Sequence, residues 1–359
     1  MKASVNAALF YDAIKKASAV PVRSSIPMLE QVMVEMKNGI CRLTGSNLEQ
    51  YLTVELPAQG ENFSFLFLNT AEVEKACKYF AGELLLDYTP KEKHSGRLTM
   101  QNGGRFCHLE VTDTEDYPAL PVVEPEQTRR TNAAELLSRF KRVQYAVAKD
   151  TSRPVLTGAQ FRDNQLIGID GQRMAVNTDE SLRVGKPFSL PVKPMRLLSL
   201  FGTSDVEIAV GKRWASITNA NMCLYTRILE GEVFNADNAI PKTWREEHRL
   251  DKVQLIRELR YLGQFVRDER HHYIRFEDGV LSAATVKGRF RSSLVGFGQS
   301  DAVFAFDCSY MLDALSQFKN DDEILLRISN QVSPIVLTNG KGDLALVLPL
   351  KLRDVAQAA

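Results

Sequence analysis

No run of eighteen apolar residues occurs in the 359-residue chain, which excludes a transmembrane helix. The opening residues turn polar and charged by Tyr11 and Asp12, so no cleavable secretory signal is expected. Cysteine is scarce and scattered: Cys41, Cys77, Cys107, Cys223 and Cys308 are odd in number and form no CxxC pair. That usage fits a reduced, cytoplasmic protein. The marks of catalysis are missing as well. There is no Gly-rich phosphate loop, no GxSxG elbow and no HExxH. An enzyme on this chain would have no visible site, and no cofactor or metal is expected. His271 and His272 are adjacent, so on a strand they would point to opposite faces and not share a metal. The cluster Asp321, Asp322 and Glu323 reads as a solvated loop before a strand. Excess charge of either sign is absent too, with a net charge of +1. A nucleic-acid ligand would therefore require the charges to be segregated.

What is present is an ordinary globular composition, 44% hydrophobic and 25% charged. The length suggests two or three domains. A loose internal repeat of about 120 residues points to three. Its clearest sign is a short apolar strand running into an amphipathic helix, at 65–70, 188–193 and 304–309, each helix ending near a phenylalanine (Phe80, Phe201, Phe318). A strand pair around a turn recurs at 43–49, 167–173 and 281–287. Proline-rich 118–125 and the stretch 234–241 read as linkers. The expected domains are 1–124, 125–242 and 243–359.

Each copy opens with another helix, expected over 6–20, 132–149 and 251–266, because apolar residues recur there at the helical period. Capping pairs mark three starts: Asn69 with Glu72, Asn132 with Glu135, and Asp251 with Gln254. Strands alternate between the helices. The fold class is α+β, three similar domains each with two helices backed by antiparallel sheets. The six helices carry a basic excess and the remainder is net acidic. If the helices share one surface, that surface would attract phosphates without reading bases.

The most informative stretch is Ser152 to Gly158 followed by Ile169 to Val176. It reads as a strand, an Asp170-Gly171 turn and a second strand. The run Leu344 to Leu350 reads as a final strand, which Pro349 places at an edge or end. Asp170 is explained by the turn itself.

These segments, with Leu229 to Phe234 and Leu348 to Leu352, resemble the bacterial sliding clamp, the beta subunit of DNA polymerase III, over essentially the whole chain. The resemblance implies a DNA-clamp fold: two subunits close head-to-tail into a homodimeric ring, with helices lining the hole. It implies a non-enzymatic processivity factor. Its partners would be double-stranded DNA, held without sequence preference, and the polymerase and clamp loader, bound through short peptide motifs. A peptide groove would join Leu156, Ile169, Gly171, Arg173 and Met174 to Pro241, Leu346, Leu348, Pro349 and Leu350. There Arg173 would bond peptide carbonyls or hold the turn. DNA would meet Arg23, Arg139, Lys141, Arg142, Lys149, Arg196, Arg257 and Arg260. Subunits would meet through Phe106 and His108 on one side and Phe265 and Val266 on the other. The chain departs from the family pattern at Gln172, where histidine is usual, and at Leu348 and Leu350, where methionines are common. Arg353 to Ala359 extend past the usual end, and the net charge is not acidic. These departures mark a divergent or mobile-element copy. The competing reading is a clamp-like hub or competitor that binds partner peptides without acting as a loaded clamp.

Overall fold

The computed structural model describes residues 1–21, 26–92, 94–267, 273–295, 297, 299–319 and 321–351. In chain order its first elements are β1 (Lys2–Asn6), α1 (Ala7–Ala17), β2 (Val32–Lys37), β3 (Ile40–Ser46), β4 (Gln50–Gly60), β5 (Phe63–Phe67) and α2 (Thr70–Cys77). Then come β6 (Glu83–Pro90), β7 (Ser95–Asn102), β8 (Arg105–Thr112), β9 (Gln127–Asn132) and α3 (Ala133–Val143). Next are β10 (Gly158–Arg162), β11 (Gln165–Ile169), β12 (Arg173–Thr178), β13 (Phe188–Pro191) and α4 (Val192–Met195). They are followed by β14 (Asp205–Val210), β15 (Trp214–Thr218), β16 (Met222–Arg227), β17 (Glu246–Asp251) and α5 (Lys252–Val266). The last are β18 (Tyr273–Glu277), β19 (Val280–Thr285), β20 (Gly288–Ser293), β21 (Val303–Asp307), α6 (Cys308–Ser316), β22 (Glu323–Ile328), β23 (Ile335–Thr338) and β24 (Asp343–Val347).

Two compact units result, one of Met1–Leu136 with Pro194–Ile228, the other of Leu137–Lys193 with Leu229–Ala359. The first is built on a twelve-stranded antiparallel sheet in the order β1-β6-β7-β8-β5-β2-β3-β4-β16-β15-β14-β9. Helix α1 starts where Asn6 Oδ1 accepts from the amides of Ala8 and Leu9, and it buries Ala7, Phe10, Ala13, Ile14 and Ala17. A Cβ on Gly45 would sit 2.1 Å from the Ala17 carbonyl oxygen, so glycine lets the helix end lie directly on β3.

The second unit holds an eight-stranded sheet, β13-β10-β11-β12-β24-β23-β22-β17, and a four-stranded one, β20-β19-β18-β21. Gly168 repeats the role of Gly45: a Cβ there would sit 2.2 Å from the Val143 carbonyl oxygen at the end of α3. One core of this unit packs Leu255, Leu259 and Leu262 of α5 and Met311 and Leu315 of α6 against Phe276, Phe304, Ala345 and Val347. All three expected caps form: Asn69, Asn132 and Asp251 accept from the amides of Glu72, Glu135 and Gln254.

Three expected elements differ. Residues 152–158 are not a strand: Pro154–Thr157 is a 3-10 turn and β10 begins at Gly158. Pro154 has no amide to give a ladder, and the Thr157 hydroxyl bonds back to its carbonyl at 2.7 Å. The helix expected to run on to Phe201 is a four-residue α4 followed by a 3-10 turn, Arg196–Phe201. Helix α3 stops at Val143, and Gln144–Ala146 is 3-10.

Candidate partner groove and nucleic-acid face

The Asp170–Arg173 turn joins β11 to β12. Asp170 Oδ1 accepts from the amides of Gln172 at 2.9 Å and Arg173 at 3.0 Å, and the Asp170 amide bonds the Arg173 carbonyl at 3.2 Å. Gly171 has φ +90° and open space around its Cβ position, so the turn needs glycine and leaves it bare to a ligand backbone.

Beyond the turn, β12 pairs with β24 in the register Arg173↔Val347, Met174↔Leu346, Ala175↔Ala345, Val176↔Leu344 and Asn177↔Asp343. Alternation divides this junction into two chemistries. One side carries an aliphatic cluster of Ile167, Met174, Val176, Val336 and Leu346, with Ile169, Phe234, Ile240 and Trp244 packed against it. The other side carries Arg173, Asn177 and Asp343.

Arg173 is therefore buried on the side away from the cluster. Its Nε bonds Asp170 Oδ2 at 3.0 Å, its Nη1 bonds Asp313 Oδ2 at 2.5 Å, and the Tyr310 ring centroid lies 4.3 Å from its guanidinium carbon. Burial pulls the guanidinium pKa down, but the bonds from Asp313 and Asp170 more than offset it and hold it above its ordinary value. Of the two roles expected for Arg173, it performs the second and holds the turn. Further along, Asn177 Nδ2 and Arg142 Nη1 both donate to Asp343. Gln317, the C-cap of α6, donates to the carbonyls of Val176 at 3.0 Å and Leu344 at 3.3 Å, and accepts from the Tyr145 hydroxyl at 3.1 Å.

After β24 the chain is clipped twice: the Leu348 amide donates to the Gln172 carbonyl at 2.9 Å, and the Leu350 amide to the Ala305 carbonyl at 2.8 Å. Leu348 and Leu350 remain 43% and 36% exposed. The structure thus brings together Ile169, Met174 and Leu346 in the cluster, Gly171 at the turn, and Leu348, Pro349 and Leu350 beside it. Leu156 and Pro241 are half-buried and do not belong to the cluster. Sequence reasoning missed Val176, Ile240, Trp244, Tyr310 and Asp313. Val176 was one alternation step from Met174, whereas Asp313 carried no local signal.

The expected DNA residues divide. Arg139 bonds Asn177 at 2.9 Å and Asp179 at 2.9 Å, and Arg142 is held by Asp343. Arg257 is exposed and pairs with Glu258 at 2.8 Å. Lys141, Lys149, Arg196 and Arg260 are exposed and carry no ion pair among the described residues. Arg23 lies outside the described residues, as do His271, His272 and Leu352 to Ala359.

Of the expected subunit contacts, Phe106 is 67% exposed on β8, and His108 is exposed beside it with its ring bonded to Thr99 at 2.9 Å. Phe265 is half-buried and stacks on Phe290 with centroids 3.6 Å apart. Val266, 1% exposed, lies in the core of its own unit. Its place on α5 turns it inward, so it offers no surface to another chain in this conformation. Among the described residues one group, His94, Asp113 and Glu115, brings potential metal ligands together. In this group of three, His94 Nδ1 lies 2.7 Å from Asp113 Oδ2 and 3.6 Å from Glu115 Oε2.

The comparisons place this architecture. No family model matches the chain. The chain is 24% identical to the beta sliding clamp of Chlamydia muridarum over 362 residues, covering 95% of this chain and 96% of that protein. It is 21% identical to the beta sliding clamp of Streptococcus pneumoniae, covering 97% and 98%. Among solved structures, the DNA polymerase sliding clamp of Bacillus subtilis superposes with a TM-score of 0.86 at 16% identity, covering 98% of this chain and 99% of that one. The DNA polymerase III subunit beta of Pseudomonas aeruginosa gives 0.86 at 17%, covering 98% and 100%. The fold is the DNA-clamp fold. Over nearly its whole length the chain is similar in sequence to bacterial beta sliding clamps, the resemblance its motifs carried.

Proposed function

We propose that the chain is a sliding clamp: a non-enzymatic ring, built of domains 1–124, 125–242 and 243–359, that encircles duplex DNA and tethers a polymerase and other peptide-bearing partners. The observation that carries it is a repeated strand pairing with one member missing. The strand after the repeated turn pairs with the last strand of the following copy in two places, β4 with β16 and β12 with β24. The two registers are equivalent, Val54↔Met222 matching Asn177↔Asp343 and Tyr51↔Tyr225 matching Met174↔Leu346. The third such strand is β20, which pairs only with β19 among the described residues. The third last strand is β8, whose edge is open from Arg105 to Glu110 among the described residues, because β5 reaches it only at Val111 and Thr112. A second copy supplies the missing partner head-to-tail, and a closed dimer leaves no such edge open.

The same register sets Arg291 opposite Phe106, Phe290 opposite Cys107 and Arg289 opposite His108. Exposed Lys141, Lys149, Arg196 and Arg260 supply sequence-independent phosphate contacts, weak enough for sliding. The aliphatic cluster and the exposed Leu348 and Leu350 accept a short extended peptide with two or three large apolar anchors, each contributing about 1.5–3 kcal/mol when buried. The second reading, a hub that binds peptides without encircling DNA, draws support from the commitment of Arg139 and Arg142 to carboxylates of their own unit.

Two measurements decide. The chain should have a dimer mass that Phe106→Ala shifts toward monomer, and an unchanged mass at sub-micromolar concentration rejects the interface. It should be retained on nicked circular DNA after loading and released when the circle is cut. Equal retention on linear DNA rejects encirclement.

A further inference from the structure

We infer that Asp313 of α6 is a positioning residue for the groove: through Arg173 it fixes the turn whose Gln172 carbonyl seats the exposed terminal leucines. The inference rests on the groove reading above and adds the device that holds its two walls in register.

The chain of contacts is continuous. Asp313 Oδ2 takes Nη1 of Arg173 while Asp170 Oδ2 takes its Nε, so the guanidinium is held between two carboxylates with its side chain 7% exposed. Asp170 is at the same time the acceptor that closes the turn, through the amides of Gln172 and Arg173. That closure aims the Gln172 carbonyl at the Leu348 amide, 2.9 Å away. Two residues on, the Leu350 amide reaches Ala305 of β21, the strand that leads directly into α6. The helix that carries Asp313 and the strand that anchors Leu350 are therefore one continuous segment. Gln172 and Leu348, which face the ligand, are fastened to it at both ends.

Tyr310, one helical turn before Asp313, stacks on the guanidinium, and Tyr145 lies 5.7 Å from it on another side. Burial pushes the Tyr145 phenol up and out of the titrating range, so these rings offer faces and no charge. With both rings neutral, Asp170 and Asp313 are the two carboxylates bonded to Arg173. Removing Asp313 leaves Asp170 to serve both the turn and an unbalanced arginine. A guanidinium suits two carboxylates because its donors form a rigid fork, which a lysine ammonium does not reproduce. Because Asp313 is itself half exposed, its loss removes little packing.

The test uses the full chain, hydrogen exchange resolved to single amides, and a capped hexapeptide with leucine and phenylalanine anchors. In Asp313→Ala the Leu348 amide should exchange about tenfold faster, the scale of one missing charge-assisted bond, while Ala175 and Val176 inside β12 keep their protection. Peptide affinity should fall about tenfold, mostly in the dissociation rate. Asp313→Glu should restore both readings, and Arg173→Lys should reproduce the defect. An unchanged Leu348 amide in Asp313→Ala overturns the inference. So does equal acceleration of Leu348, Ala175 and Val176, which marks general loosening. If the wild-type chain ignores the peptide while the Leu348 effect appears, the groove reading fails and the positioning role stands.

Discussion

The two sheet junctions, β4 with β16 and β12 with β24, share one register and differ in which side is apolar. At the first, Leu52 with Leu224 and Val54 with Met222 bury one side, and Tyr51, Thr53, Cys223 and Tyr225 occupy the other. At the second, the side equivalent to Leu52 and Val54 holds Ala175, Asn177 and Asp343, and the side equivalent to Tyr51 and Thr53 holds Met174, Val176, Leu344 and Leu346. The polarity is inverted. Backbone pairing holds both junctions, but only the second gathers an aliphatic cluster on the side opposite its charged groups. The inversion puts Asn177 and Asp343 in the buried places that Val54 and Met222 hold at the first junction, and buried polar groups must be satisfied. Asp343 meets that demand with Arg142, Asn177 and Asn339, Arg173 with Asp170 and Asp313, and Gln317 with two strand carbonyls.

The largest effect should come from breaking that inward polar side. Asp343→Met gives the second junction the residue of the first and strips Arg142 and Asn177 of their acceptor. It should destabilise its unit by about 3 kcal/mol, as removal of one member of a buried pair does. Adding Arg142→Met and Asn177→Val makes the Asp343 end of that side apolar, as at the first junction, and should recover most of the loss. Urea denaturation midpoints at constant slope measure both. A triple variant no better than the single one breaks the idea that the two junctions are alternative solutions of one scaffold.

Next in size is the aliphatic side. Met174→Ala with Leu350→Ala should weaken an apolar-anchored peptide by tenfold to a hundredfold, since each truncation removes roughly 1–2 kcal/mol of apolar burial. Subunit mass and DNA retention should be unchanged. Tyr51→Ala, at the position equivalent to Met174, should leave peptide binding alone. A peptide that binds the double variant as it binds the wild type removes the groove from the second junction.

The cations sharpen the contrast further. Lys141, Lys149 and Arg260 are exposed, and neutralising them should lower the salt slope of DNA binding by roughly 0.9 for each phosphate that is no longer neutralised. Arg139 and Arg142 serve the second junction, so Arg139→Ala with Arg142→Ala should change stability far more than salt slope. A larger slope change from the inward pair would return those residues to the DNA face.

The parts legible in the sequence were those with local causes. The caps at Asn69, Asn132 and Asp251 need only their own helix, and the Asp170-Gly171 turn closes on its own side chain. The alternation of Leu344 to Val347 also held. What escaped depends on distant partners. Arg142 looked like a free cation until Asp343, 201 residues away in sequence, was placed beside it. The resemblance set Arg173 in the groove, to bond peptide carbonyls or hold the turn, and one step along the strand turns it away from the cluster that contains Met174. The run 152–158 read as a strand from its apolar residues, while Pro154 decided the local backbone instead.

The smallest predicted effect is a difference in acid sensitivity. A hydrogen bond from Ser181 and the Arg139 charge hold the Asp179 carboxyl below its ordinary range, and Asn339 and Lys341 outweigh burial to do the same for Asp321. A carboxylate with a depressed folded pKa contributes stability that is present above its unfolded value, about 3.9 for Asp, and is lost as pH falls through the folded value. Both residues belong to the unit with the polar inward side. Asp179 directly follows β12, and the same register sets Leu56, which has no charge to titrate, at its place beside the first junction. Acidification from pH 6 to pH 3 should therefore loosen amides of β12 and β24 before those of β4 and β16, by a small margin because Asp179 is partly solvated and screened. Hydrogen exchange at the two pH values, corrected for intrinsic rates, measures the margin. Equal loss of protection at both junctions would mean that the inverted polarity carries no acid sensitivity of its own.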